Sequence, residues 1–452
     1  MHDDHNNSHS SGSIEQSTKT EHDRFRAAED DGRARAVQPS ANRPVRAVRP
    51  NKHDDFAYTV FDFMQRAVQV EKVPDGAGAH SYVTAQMSAK AGLKVFGSEG
   101  AHALMKELRQ LVTMNVMSGC DSRVLTKDQK HRALKYLMFL KEKRCGRIKG
   151  RGCADGRKQR LYKTKEETSS PTVSIEALLL SCMIDAMEKR DVATLDIPGA
   201  FMQADIDEEV HIKFDGELID LLCQVDPSLA QYVAVENGKK VLYTVLNKAL
   251  YGTVQASLLF WKRLSSFLID THGFVRNPYN FCVVNKMIGG RQMTVVWYVD
   301  DLKISHANES AVDDVVNLVK GEFGKDLEVT VHRGKVHDYL GIRFDFTQTG
   351  RVTMTMHNYI SELINACPDS LLKGTPKSPA GNHLFNVNPD SEKLDKDKAV
   401  LFHHLTAKLL YLSKRTRPNL LPTVSFLCTR VLNPDVDDWK KLGRCMCYLV
   451  PT

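Results

Sequence analysis

Tyr298-Val299-Asp300-Asp301 sets two adjacent carboxylates between the apolar run Met293-Thr294-Val295-Val296-Trp297 and the stretch Leu302-Lys303-Ile304-Ser305. The pattern predicts a strand, a tight turn carrying both acids, and a second strand. Two neighbouring carboxylates cannot both enter an apolar core, because burying unpaired charge is too costly. They stand at the turn either as solvated residues or as ligands for hard cations, which prefer oxygen donors. Divalent ions held about 4 Å apart by shared carboxylates drive in-line phosphoryl displacement. An Asp-Asp pair alone is more often a solvated turn, so that chemistry calls for a third acid. Thr194-Leu195-Asp196-Ile197-Pro198-Gly199-Ala200-Phe201 offers one. Asp196 closes a short apolar strand, and Pro198-Gly199 breaks it and lets the backbone approach a neighbour closely. Beside the strand–turn–strand, Asp196 would gather with Asp300 and Asp301 at one sheet edge.

The elements that must position these acids are legible in outline. Ser98 opens a helix with Leu104, Leu108 and Leu111 on one face. The spacing predicts a second helix over Thr126 to Lys143, ending in a Lys/Arg/Gly-rich, hairpin-like stretch from Arg144 to Arg160. A strongly apolar helix runs from Val173 to Lys189, followed by the strand Ala193-Thr194-Leu195-Asp196. Ser310-x-x-Asp313 reads as a capping box opening a helix with Val312, Val315, Val316 and Val319 on one stripe. After Pro379 the composition loosens, and two helical segments close the chain; Trp439, Leu442, Met446 and Leu449 repeat in the last. Residues 1–52 are poor in large apolar side chains and predict a disordered linker, with ordered sequence beginning near Phe56. Within that linker, His2, His5 and His9 and the Arg-rich piece Arg33 to Arg49 read as solvated residues.

The chain has 452 residues, long enough for two or more packed domains, and a formal net charge of +7, which suits a phosphate-rich partner without requiring one. Its ten cysteines include no CxxC pair, which speaks against a zinc site or a disulfide framework and for a reducing compartment. No run approaches the roughly 18 apolar residues of a membrane span, and no secretory signal opens the sequence. The expectation is a soluble, intracellular protein.

The order of motifs resembles the reverse transcriptase of copia-type LTR retrotransposons. Asp196-Ile197-Pro198-Gly199-Ala200-Phe201 matches that family's Asp-x-x-x-Ala-Phe motif, and Lys248-Ala249-Leu250-Tyr251-Gly252-Thr253-Val254-Gln255-Ala256 its Lys-Ala-Leu-Tyr-Gly-x-x-Gln-Ala motif. The Tyr-Val-Asp-Asp box is intact at 298–301, Tyr339-Leu340-Gly341-Ile342 matches a further element, and Leu409-Leu410-Tyr411-Leu412 with Thr416-Arg417-Pro418 matches a block placed after the polymerase core. The resemblance covers roughly residues 100 to 452. Two departures stand out. The family's Lys-Gln-Ala-Pro and Trp is Val254-Gln255-Ala256-Ser257 with Phe260 and Trp261, and its Tyr-Leu-x-Gly-Thr is Tyr448-Leu449-Val450-Pro451-Thr452.

The resemblance implies an α+β right-hand polymerase. Residues 53–375 would form fingers and a palm with a small antiparallel sheet, and 376–452 the start of a thumb or connection region, ending before RNase H. It implies RNA-directed DNA synthesis, with Asp196, Asp300 and Asp301 as ligands of two magnesium ions, manganese being the alternative. Lys149 and Arg151, matching the Lys-x-Arg of a fingers hairpin, would clamp the triphosphate. Phe201 would exclude a ribose 2′-hydroxyl, Gln255 would touch the nucleotide or template, and Tyr339, Leu340 and Gly341 would hold the primer end. The implied partners are an RNA template, a DNA or tRNA-like primer, dNTPs, and a second copy or polyprotein neighbours such as integrase and RNase H, with no membrane. The implied location is the cytoplasm, within a virus-like particle in an active element, with nuclear entry as a further step. The rival reading is a truncated, catalytically decayed, nucleic-acid-binding relic, against which the retention of all three acids counts.

Overall fold

The computed structural model describes residues 87–143 and 146–451. The expected linker over 1–52 and the ordered start near Phe56 lie outside the described residues.

The described chain opens with strand β1 (Met87–Ser88) and helix α1 (Ala89–Thr113), which is broken at Gly97, where φ is 49° and ψ −125°. The helix resumes at Ser98, as the sequence implies, and buries Leu104, Leu108 and Leu111. After β2 (Met117–Cys120), Thr126 caps a short helix α2 (Lys127–Arg132) through a reciprocal bond with Gln129. The expected helix over Thr126 to Lys143 ends there. Leu134, Tyr136, Met138 and Leu140 alternate inward along strand β3 (Leu134–Glu142), so the period of two overrides the helical reading. The Lys/Arg/Gly-rich stretch does form a hairpin, its second strand β4 (Ile148–Ala154) pairing antiparallel with β3.

Next come helix α3 (Ile175–Met187), β5 (Asp191–Asp196), β6 (His211–Asp215), α4 (Glu217–Val225), β7 (Val233–Glu236), β8 (Lys239–Leu246) and α5 (Ala256–Ser266). Strands β9 (Val275–Arg276), β10 (Val283–Ile288), β11 (Arg291–Tyr298) and β12 (Asp301–His306) precede helix α6 (Glu309–Phe323). The cap of α6 is Asn308, which accepts from Ser310 N at 3.0 Å, two residues ahead of the expected one; the valine stripe is buried as the sequence implies. Strand β13 (Thr330–His332), the sheet of β14 (Val336–Tyr339), β15 (Ile342–Asp345) and β16 (Thr353–Thr355), and α7 (His357–Asn365) follow. Three helices, α8 (Lys396–Ser413), α9 (Leu421–Arg430) and α10 (Val436–Leu449), stand where two were expected. Pro418 and Pro422 divide what reads as one segment, since proline opens a helix easily and interrupts one badly.

The sheets make two layers of purpose. A seven-stranded sheet (β1, β2, β3, β4, β6, β7, β8) packs on α1 and α4 around its own core, which includes Leu104, Leu108, Tyr136, Phe214 and Leu242. A six-stranded sheet runs β13-β5-β12-β11-β10-β9, and its core, including Leu195, Trp297, Ile304 and Val316, is continuous with Phe402, Leu409, Leu427 and Leu442 of the last three helices. This is the mixed α+β arrangement the resemblance implies. Among the described residues, no helix is long and apolar enough to cross a membrane.

Candidate active site

Strands β5, β11 and β12 bring the three acids to one edge of the six-stranded sheet. Asp301 pairs in register with Asp196 across the β12–β5 ladder, and Ile197 N donates to the Asp300 carbonyl at 3.0 Å. Tyr298 pairs with Asp301, so Val299-Asp300 is a two-residue hairpin tip. Val299 adopts φ 57°, a left-handed conformation that costs a β-branched residue about 1–3 kcal/mol.

Asp196 is exposed, while Asp300 and Asp301 are half-buried. Burial, then Asp300 and Asp196, push the Asp301 carboxyl up to about 6. Burial also raises Asp300, against the pull of Arg151 and Lys149. No ion pair engages any of the three, and among the described residues no three His, Cys, Asp or Glu side chains lie close enough together as they stand to hold a metal ion. The donors nonetheless fit a hard divalent cation: they are oxygen-only, uncommitted and mutually repelling.

Lys149 and Arg151 project from the exposed face of β4, two residues apart. Gly150 and Gly152 occupy the opposite face. A Cβ at Gly150 would lie 2.6 Å from the Ala103 carbonyl oxygen, and one at Gly152 1.8 Å from the Tyr136 hydroxyl. The glycines therefore let β4 lie against α1 and β3. Glu107 of α1 accepts from Gly152 N at 3.1 Å and sits in the field of Arg151 and Lys149, though burial raises its carboxyl.

Phe201 follows the left-handed Gly199 (φ 63°), whose missing Cβ would meet Gln110 Nε2 at 2.7 Å. The half-buried Phe201 ring packs on Tyr251, centroids 4.6 Å apart. Tyr251 belongs to a turn stitched to β4, with Ala154 N donating to the Tyr251 carbonyl at 2.7 Å, and its phenol is raised by burial first and then by Asp300. Phe201, Tyr251, Arg151 and the aspartates thus share one locality. Glu107 and Tyr251 were not among the candidates; for Tyr251, its place in the Lys248–Ala256 motif was the available signal.

Gln255 stands elsewhere. It is 1 % exposed, accepts from Gln159 Nε2 at 3.1 Å and donates to Glu208 at 2.7 Å, so both ends of its amide are used inside the protein. In this structure its amide is committed to Gln159 and Glu208. Tyr339 is also buried, and its hydroxyl donates to the Asp301 carbonyl at 2.9 Å. Leu340 and Gly341, at φ 50° and 78°, form the two-residue tip between β14 and β15. Of the expected primer-side trio, Tyr339 supports the carboxylate strand, and the Leu340-Gly341 turn lies beside it.

The sequence model of the family described as reverse transcriptase (RNA-dependent DNA polymerase) matches residues 122–370, more than half of the chain, and the chain belongs to that family. Its relatives are copia-type. It is 24 % identical over 339 residues to the transposon Ty1-DR5 Gag-Pol polyprotein of Saccharomyces cerevisiae (strain ATCC 204508 / S288c), and 23 % identical over 342 residues to that of Ty1-DR4. These alignments cover 74 % of this chain but 18 % and 20 % of the polyproteins, so the chain spans about a fifth of their length. Among solved structures, a foamy viral protease–reverse transcriptase in complex with double-stranded DNA overlaps 75 % of this chain and 46 % of its own, at 13 % identity and a TM-score of 0.36.

Proposed function

We propose that this chain carries out RNA-directed DNA synthesis, transferring deoxynucleoside monophosphates from dNTPs to a primer 3′-hydroxyl. The observation that carries this reading is the register of Asp196 against Asp301, with Asp300 on the adjoining tip, because it brings three uncommitted carboxylates to one end of the sheet. Asp196, Asp300 and Asp301 would hold two magnesium ions, which when bound lower the pKa of the attacking hydroxyl and neutralise the triphosphate. Lys149 and Arg151 fall on the open face of β4 within the field of Asp300, where an ammonium and a bidentate guanidinium suit a triphosphate. Phe201, braced by Tyr251, closes the space beside a ribose 2′ position and so favours deoxynucleotides. The Leu340-Gly341 turn, joined to the carboxylate strand through Tyr339, would hold the primer end.

Primer extension on an RNA template with magnesium tests the reading. Wild-type protein should extend, whereas Asp196→Asn and Asp300→Asn should lose extension while keeping their folded far-UV spectrum. Primer–template binding by the wild type without any extension would favour a decayed, binding-only protein. Near-normal extension by both variants would remove the metal assignment.

A further inference from the structure

Arg415 lies in the loop after α8, and its guanidinium stacks on the Tyr411 ring, 3.5 Å from the centroid. Its Nη1 donates to the Tyr411 carbonyl at 3.1 Å. Nε is buried without a hydrogen bond, and no carboxylate pairs with the guanidinium among the described residues. The residue as a whole is half-buried.

Arg415 connects to the carboxylates through contacts rather than sequence. The Tyr411 hydroxyl donates to the Leu340 carbonyl at 3.5 Å and would lie 3.3 Å from a Cβ on Gly341. That turn follows Tyr339, whose hydroxyl donates to the Asp301 carbonyl at 2.9 Å. Tyr359 also packs on Tyr411, ring centroids 5.1 Å apart. Capping the α8 carbonyls would occupy Nη1 alone. It would leave a buried donor unsatisfied, an arrangement that costs about 1–3 kcal/mol unless a ligand completes it.

We propose that Arg415 is a binding residue for the primer strand, its guanidinium taking a backbone phosphodiester of the strand whose 3′ end meets Asp196, Asp300 and Asp301. This rests on the polymerase reading above. In-line displacement sets the leaving pyrophosphate opposite the attacking 3′-oxygen, so the triphosphate and the primer backbone leave the carboxylates in different directions. Lys149 and Arg151 share the field of Asp300 and serve the triphosphate. Arg415 shares its contacts with the turn beside Asp301 instead, where a strand backbone rather than the triphosphate is the anion to be held. A guanidinium already stacked on an aromatic ring is pre-organised for a phosphate fork.

The test is equilibrium binding of a fluorescent primer–template to full-length wild type, Arg415→Gln and Arg415→Lys across potassium chloride concentrations, with dNTP KM and a thermal melt alongside. Arg415→Gln should weaken binding about tenfold at low salt and lower the log–log salt slope by about 0.9, the loss of one phosphate contact. Its dNTP KM should stay at the wild-type value, and Arg415→Lys should keep the wild-type slope. A wild-type slope in Arg415→Gln overturns the assignment, as does a weaker affinity with unchanged slope and a lowered melting temperature. A dNTP KM that rises with the affinity loss moves Arg415 to the triphosphate and also overturns it. Wild type that binds no primer–template overturns the polymerase reading itself, and this assignment with it.

Discussion

Asp301 carries its proton up to about pH 6, because burial, and then Asp300 and Asp196, disfavour its charge. The folded value lies above the unfolded one, near 3.9, so between about pH 4 and 6 the native state binds more protons than the unfolded chain. This group's contribution to stability therefore falls as pH rises through that window. Asp301→Asn removes the conflict and should raise the melting temperature at pH 7.5, without divalent ions, by about 2 °C. Its advantage over wild type should shrink as pH falls toward 5, and it should lose extension. Millimolar magnesium should raise the wild-type melting temperature by mass action and leave the variant nearly unmoved. A gap between the two proteins that is constant with pH would place the Asp301 charge elsewhere than in this repulsion. Phe201 gives a second test at this scale. Phe201→Val should shift competitive dNTP/rNTP incorporation toward ribonucleotides by about two powers of ten, since excluding one hydroxyl is worth about 3 kcal/mol. An unchanged ratio with a lowered melting point would make the ring, which packs on Tyr251, a support only.

At the scale of elements, β4 works because its faces divide labour. Lys149 and Arg151 face out, and Gly150 and Gly152 face in, where no Cβ fits. Gly152→Ala would drive a methyl group into the hydroxyl of Tyr136, a buried ring that packs on Phe214 with centroids 4.7 Å apart. It should cost about 1–3 kcal/mol by overpacking. The displaced strand carries the basic pair, so dNTP KM should rise as well; a lowered melting point with unchanged KM would separate the strand from substrate binding. Behind the carboxylate edge, Lys303 of β12 pairs with Asp185 of α3, both at most 2 % exposed, and Arg190 joins them while donating to Thr294 at 2.9 Å. Removing one partner strands buried charge, so Asp185→Ala should destabilise the protein by about 3–5 kcal/mol in a denaturant titration. A loss under about 1 kcal/mol would mean that water reaches the site.

Across the molecule, the last three helices share one core with the six-stranded sheet. Phe402, Leu409, Leu427 and Leu442 belong to the same buried cluster as Trp297 and Ile304. The segment from 376 onward, expected to begin a thumb or connection region, shares its core with the sheet that carries the carboxylates. A chain ending at residue 395 should lose cooperative melting and expose apolar surface to a hydrophobic dye, whereas an intact melt would show the sheet self-sufficient.

The sequence by itself determined the family and much of the local structure. The tip at Val299-Asp300, the strand ending in Asp196, the α6 stripe and the basic hairpin were legible because each is written in a short period or a short motif. Other features were decided only by packing. The Thr126 to Lys143 stretch became mostly strand because alternate side chains found a core to enter, a fact of long-range burial that local propensity does not contain. Gln255 reads the same in the motif whether it faces a nucleotide or Gln159 and Glu208, and only folding brings residues 159 and 208 to it. Likewise the cross-strand alignment of Asp196 with Asp301, and the contact of Tyr411 with the Leu340 turn, join residues far apart in the chain. Residue type states which chemistry is available; register and burial, which depend on partners distant in sequence, decide which side chains meet to perform it.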